Sequence, residues 1–150
     1  MSPMPYASII DVLLLLTRDD HVLLALREGT GYADGWYNLP SGKLEASESL
    51  IDAVIREARE EIGIRLDPAE LRHAVTVQCR NPEGQRRIGI FFAVESDPAR
   101  QGEPFNAERR KCAKVGWFPL DMLPHYTVPY TADGVSLFRA GQTFGLIDWA

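Results

Sequence analysis

Three carboxylates, Glu57, Glu60 and Glu61, fall within five residues of one another in the run IREAREEIGI. A helix advances about 100° per residue, which puts Glu60 about 60° to one side of Glu57 and Glu61 about 40° to the other. Ile51, Val54, Ile55, Ala58 and Ile62 form a separate apolar stripe roughly 120° away, so one face suits a core and another something positive. The acidic face works against its own helix. Like charges at i,i+3 and i,i+4 cost roughly 0.2–0.5 kcal/mol each. Gly63 reads as the residue just past the helix end, where the dipole disfavours Glu60 and Glu61. Arg56 offsets part of this by facing Glu60. A solvated Glu-rich surface is the plain reading of such a face. The competing reading is a set of oxygen ligands for a hard divalent cation, beside a Gly-containing loop. Broken local rules favour function.

The spacing around the acids carries the argument further. Gly42 is followed after five residues by Glu48, and after seven more by Arg56-Glu57-Ala58-Arg59-Glu60-Glu61-Ile62-Gly63-Ile64. This is the Nudix box with every fixed position filled, and the chain resembles the Nudix hydrolase family. Ser41 departs from the pattern, since many members have a glycine there. The resemblance implies an α/β fold of the α+β kind, an α/β/α sandwich with a mixed β-sheet. It implies Mg²⁺, with Mn²⁺ as a substitute, held by Glu57, Glu60, Glu61 and the backbone carbonyl of Ser41. Glu48 and Arg56, with Gly42, are expected to brace the loop and orient the ligands. One of Glu61, Glu57 or Glu108 is the general base, because family members differ on this position, and Glu103 is the reserve for Glu108.

These groups need elements to hold them. Residues 7–16 read as a buried central strand and His21 to Arg27 as its hairpin partner. Glu28 to Gly35 is a Gly-rich loop that lets the chain reverse toward the box. Trp36-Tyr37-Asn38-Leu39-Pro40 leads into it, and both aromatics either stack on a base or pack; the two readings stand level. Lys43 and Arg27 are further substrate-binding candidates, Lys43 as a mobile point charge for phosphate. Ser47 or Ser49 can cap the box helix, the latter with Asp52. Beyond Gly63, Leu71 to Cys79 and Arg86 to Glu95 read as strands joined by Asn81-Pro82-Glu83-Gly84. Arg80, Arg86 and Arg87 flank that turn, with surface charge as the default reading. Asp97 to Arg109 is a polar loop, Cys112 to Phe118 a strand, Tyr130 to Ala140 a closing helix, and Phe144 to Trp149 a docked apolar tail.

Length and charge bound the partners. A chain of 150 residues suits one domain with a core of its own. A net charge of −5 argues against a nucleic-acid polymer as partner. A small phosphorylated substrate remains compatible with it, because a bound metal inverts the local field. The run from Ile9 to Leu16 is too short to span a membrane and contains Asp11. Cys79 and Cys112 form no CxxC pair and read as reduced thiols of a cytoplasmic protein. A homodimer is compatible with all of this.

The resemblance implies hydrolysis of a nucleoside diphosphate derivative by direct water attack. No Ser-His-Asp set or Cys-His nucleophile is visible to provide a covalent route. Markers of family subclasses narrow the substrate. The SQPWPFP-like run of NADH pyrophosphatases and the Tyr of dinucleoside polyphosphate hydrolases are missing, and Pro82 lies past the place of the Pro common in ADP-ribose hydrolases. Elimination leaves a MutT-like (d)NTP pyrophosphohydrolase giving NMP and pyrophosphate. The alternatives are an ADP-ribose or nucleotide-sugar pyrophosphatase and, from another class, a nucleotide-sensing regulator without activity.

Overall fold

The structure, a computed structural model, describes residues 3–80 and 84–148. The turn expected at Asn81-Pro82-Glu83, with the subclass marker Pro82, and Trp149 at the chain's end lie outside these residues. The apolar run near the N-terminus becomes strand β1 (Ile9–Arg18), with Val12 to Leu16 almost wholly buried. It is apolar on both sides because both sides are covered. Val12, Leu14 and Leu16 face one core, and Leu13 and Leu15 face the other.

Asp19 and Asp20 both take positive φ, 48° and 62°, the two-residue turn that suits a hairpin into β2 (His21–Arg27). The hairpin is paired only next to its turn, at Thr17–Val22 and Arg18–His21. Beyond it the strands part. The other half of that β1 edge takes β4 (Ser41–Lys43), while β2 continues with β3 (Tyr37–Asn38). On its other edge β1 runs parallel to β6 (Arg86–Glu95), which pairs antiparallel with β5 (Arg72–Arg80). Strand β7 (Cys112–Pro119) pairs with β2, giving one mixed eight-stranded sheet.

Helix α1 (Leu50–Ile62) covers one face of the sheet and α3 (Pro129–Arg139) the other, the expected sandwich. The start of α1 is set by Ser49, whose hydroxyl accepts the Asp52 N–H while Asp52 accepts the Ser49 N–H. Its end is set by Gly63 at φ 68°, whose N–H reaches the Arg59 carbonyl. Among the described residues no helix is long and apolar enough to cross a membrane. Cys79 and Cys112 are free and buried.

Two segments form elements that their sequence reading did not specify. The polar loop after Asp97 contains the short helix α2 (Pro98–Gln101). Pro98 suits its first turn, and the Gln101 side chain accepts the Asp97 N–H and donates to Glu70 and to the Glu95 carbonyl. The apolar tail is docked as a strand, β8 (Phe144–Ile147), parallel to β5. It fills an edge that would otherwise present open hydrogen-bonding groups.

Helix α3 approaches the sheet closely at Gly134, where a Cβ would overlap the ring of Phe91. Gly→Ala in a helix ordinarily stabilises by about 1 kcal/mol. Here Gly134→Ala should instead destabilise by roughly 1–3 kcal/mol through overpacking. A thermal melt with Tm at or above that of the wild type would contradict this packing.

Candidate functional site

Strand β4 and helix α1 make the site between them. Gly42 sits against α1 so closely that a Cβ there would overlap the carboxylate of Glu57. One residue before it, the Ser41 N–H donates to Glu61 Oε2 at 3.0 Å. Glu57 is drawn inward, its side chain 13% exposed, and Glu61 lies beside it. Burial raises the pKa of both acids, Glu61 more strongly, and the charge of Glu57 adds to the rise at Glu61. The contact between the two carboxyls adds to the rise at Glu61 and opposes it at Glu57, so the two titrate as a pair.

Glu60 does not join them. Its side chain is half exposed and meets Arg56 at 3.5 Å. Arg56, expected to face Glu60, makes its short contacts elsewhere. Its Nη1 donates to Glu57 at 2.6 Å, and its Nη2 and Nε donate to Glu48 at 2.6 and 2.9 Å. It also reaches the Lys43 carbonyl at 3.3 Å. Arg56 therefore staples the loop of residues 43–48 to α1, and holds the Glu48 carboxyl down at about 2. Glu48 completes the staple by accepting the Glu45 N–H at 3.0 Å. Among the described residues no three His, Cys, Asp or Glu side chains gather as a finished cation cage. Glu57 has a guanidinium as its partner, and Glu60 faces outward.

The donor set still fits a hard divalent cation. It consists of oxygens only, two of its carboxylates are withdrawn from water beside each other, and the neighbouring backbone lacks a side chain. Glu57 and Glu61 would hold such an ion. Glu60, half exposed beside Arg56, would have to turn inward to join them.

Glu108 reaches the same place from the far half of the chain. The Ala107 N–H bonds the Glu61 carbonyl at 3.1 Å and the Phe105 N–H bonds that of Ile62 at 3.0 Å. These contacts satisfy carbonyls that the helix end leaves unpaired. Asn106 then accepts the Glu108 N–H and donates to the Cys112 carbonyl at 2.8 Å. The Glu108 carboxylate is one-third exposed, near Lys111, and its charge contributes to the rise at Glu61. Glu103, the reserve acid, is instead paired with Arg18 at 3.1 Å through both carboxylate oxygens and does not line the site.

An open cleft of about 770 Å³ starts at these acids. Lys43, Arg27 and Lys111 line it, as does Tyr32 of the Gly-rich loop. Arg27 shapes that loop by donating to the Tyr32 carbonyl at 2.9 Å and to Thr30 Oγ1 at 3.2 Å. The two aromatics offered for stacking lie outside the lining. Tyr37 packs edge-on against Phe118 at 4.9 Å, and Trp36 against Tyr126 at 5.4 Å. Both pack against the 117–127 segment, which bridges to the chain at Tyr37–Thr127.

The cleft also contains a group that the sequence reading passed over. Asp11 interrupts an apolar strand, is buried, and pairs with Arg87 at 2.8 and 2.9 Å while accepting the Tyr130 hydroxyl at 3.0 Å. A charge inside an otherwise apolar buried strand was the available signal. Its partners lie 76 and 119 residues away.

Known proteins agree with this architecture. A sequence model of the NUDIX domain matches residues 7–137. Phosphatase NudJ of Escherichia coli K12 is 27% identical over 111 residues, covering 73% of this chain and 71% of NudJ. The solved structure of the MutT NUDIX hydrolase from Burkholderia pseudomallei superposes with a TM-score of 0.76 at 26% identity, over 87% of this chain and 98% of that one. The solution structure of the E. coli ORF135 protein does so at 0.71 and 25% identity, over 89% of each. A family match that runs from the central strand through the box helix to α3 leaves one assignment, and the chain belongs to the Nudix family of hydrolases.

Proposed function

We propose that the protein is a Mg²⁺-dependent MutT-like pyrophosphohydrolase that converts a (deoxy)nucleoside triphosphate and water to the monophosphate and pyrophosphate, with Mn²⁺ as a substitute ion. The observation that carries the reading is the buried pair Glu57–Glu61 at the end of a cleft lined further along by Lys43, Arg27 and Lys111. A chain of phosphates needs counter-charge at more than one point, and those three cations supply it beyond the acids. The likeness to a protein named as a MutT NUDIX hydrolase, over nearly that protein's whole length, supports the MutT-like reading.

The roles follow from position. Glu57 and Glu61 hold the divalent cation, assisted by Glu60 and the Ser41 carbonyl. When bound, that ion neutralises phosphate oxygens and acidifies the attacking water. Glu108 accepts the proton of that water as its oxygen attacks phosphorus. The bond to the bridging oxygen breaks, and the electron pair leaves with pyrophosphate. Lys43 and Arg27 orient the phosphates remote from the attack. Arg56 and Glu48 keep the β4–α1 loop closed around the acids.

Three outcomes test this. In a panel of nucleotides with Mg²⁺, at least one triphosphate should be turned over with pyrophosphate as product; turnover of ADP-ribose or nucleotide sugars alone would overturn the substrate assignment. Glu108→Gln should lower kcat by about 10²-fold or more if this residue is the base. Unchanged kcat would return it to an ordinary ion pair with Lys111.

The third concerns pH in EDTA. Burial and Glu57 hold the Glu61 pKa well above its ordinary value of 4.5. Folding then takes up a proton, so the contribution of this group is fully present below that value and is lost as pH rises through the folded pKa. Glu61→Gln removes the loss. In EDTA its Tm should exceed that of the wild type by a few degrees at pH 8, and the advantage should shrink toward pH 5. Mg²⁺ should raise the wild-type Tm more than the mutant's, because a ligand stabilises only through its affinity for the folded state. Equal melts at both pH values and equal Mg²⁺ shifts would contradict the buried-pair reading.

A further inference from the structure

The remaining charged group of the cleft is the set Asp11, Arg87 and Tyr130. Its members come from β1, β6 and α3, so it ties three elements together. A tie alone would suit groups sealed in the core. These three line the cleft instead, and Arg87 retains 19% of its side-chain exposure against 8% for Asp11. The contact pattern is specific. Asp11 accepts one N–H from Nε and one from Nη2. A guanidinium has five N–H donors in a planar fork. The outer edge, formed by Nη1 and the second N–H of Nη2, meets no protein acceptor among the described residues.

Asp11 neutralises the charge of Arg87, so the pair is poorly suited to bind another phosphate. Lys43, Arg27 and Lys111 already serve that need in the same cleft. What remains is a flat pair of parallel donors, held rigidly because Asp11 is fixed from a second side by Tyr130. Burial and the Asp11 carboxylate push the Tyr130 phenol well up, which keeps its hydroxyl a donor. The matching ligand is neutral and planar with two adjacent acceptors. Tyr32, whose exposed ring also lines the cleft, offers a surface on which such a ligand can stack.

We propose that Arg87 is a specificity-determining residue whose outer fork reads two adjacent acceptors of the nucleobase, selecting guanine or cytosine over adenine and uracil. Guanine presents O6 beside N7, and cytosine presents O2 beside N3. On adenine and uracil each exposed base-pairing acceptor has a donor as its neighbour, which an all-donor fork rejects. The proposal rests on the reading of the cleft as a nucleotide site.

The test compares GTP, CTP, ATP and UTP with Mg²⁺ for the wild type and for Arg87→Lys, which keeps a cation beside Asp11 but has no fork. Wild-type kcat/KM for GTP or CTP should exceed that for ATP and UTP by about tenfold or more. Arg87→Lys should bring the ratio to within about twofold, with the loss falling on KM rather than kcat. Whichever of GTP and CTP stands out identifies the base. No preference in the wild type, or a preference that Arg87→Lys leaves intact, overturns the proposal. A melt establishes that the variant is folded; if it is not, the wild-type comparison decides alone. Binding of GMP, CMP, AMP and UMP to the full chain in EDTA separates this proposal from the triphosphate reading. Selective binding of GMP or CMP supports the fork even where no triphosphate is hydrolysed. Equal binding of all four overturns it even where every triphosphate is.

Discussion

Two carboxylates withdrawn from water side by side require a positive charge or a shared proton. Glu57 and Glu61 are placed under that requirement by the backbone itself. Gly42 of β4 lies so close to α1 that only a residue without a Cβ leaves room for the Glu57 carboxylate there, and the Ser41 N–H fixes one oxygen of Glu61. Arg56 answers part of the need at Glu57, at the same time closing the loop through Glu48. A divalent cation answers the rest more fully, because it can face several oxygens at once.

The fold serves this constraint from several directions. The hairpin between β1 and β2 opens soon after its turn, which frees one stretch of β1 to receive β4 and with it Ser41 and Gly42. The caps at Ser49 and Gly63 set where α1 begins and ends, and so which carboxylates face β4. Past the helix end, the backbone of Phe105 and Ala107 takes up free carbonyls of α1 and returns Glu108 to the acids. The other end of the cleft depends on α3, whose glycine lets it settle onto Phe91 and whose Tyr130 meets Asp11.

What could be read from the sequence was mostly local. The acidic face of α1, its Ser49 cap, its Gly63 stop and the buried strand β1 follow from periodicity and from residue chemistry within a few positions. The spacing of the box then pointed to the family. The roles of Trp36 and Tyr37 were undecided because an aromatic fits a core and a base equally well, and only tertiary packing against Tyr126 and Phe118 separates the two. Glu60 shares the helical face of Glu57, yet a long side chain at the rim turns toward solvent and Arg56. Glu103 and Glu108 look alike in a polar loop, and only the reach of Arg18 distinguishes them. Arg87 looked like surface charge beside a turn because its partner Asp11 is 76 residues away. Contacts at that separation leave no periodic trace.

The most direct test of the account is Mn²⁺ binding to the substrate-free protein, followed by EPR, for the wild type and Gly42→Ala. The added methyl would overlap the Glu57 carboxylate and displace it, leaving every acid in the sequence unchanged. If the close approach of β4 to α1 builds the cation site, the wild type binds Mn²⁺ and Gly42→Ala binds it at least about tenfold more weakly, consistent with the effect of disturbing groups that orient metal ligands. Equal Mn²⁺ affinity in the two folded proteins would contradict it.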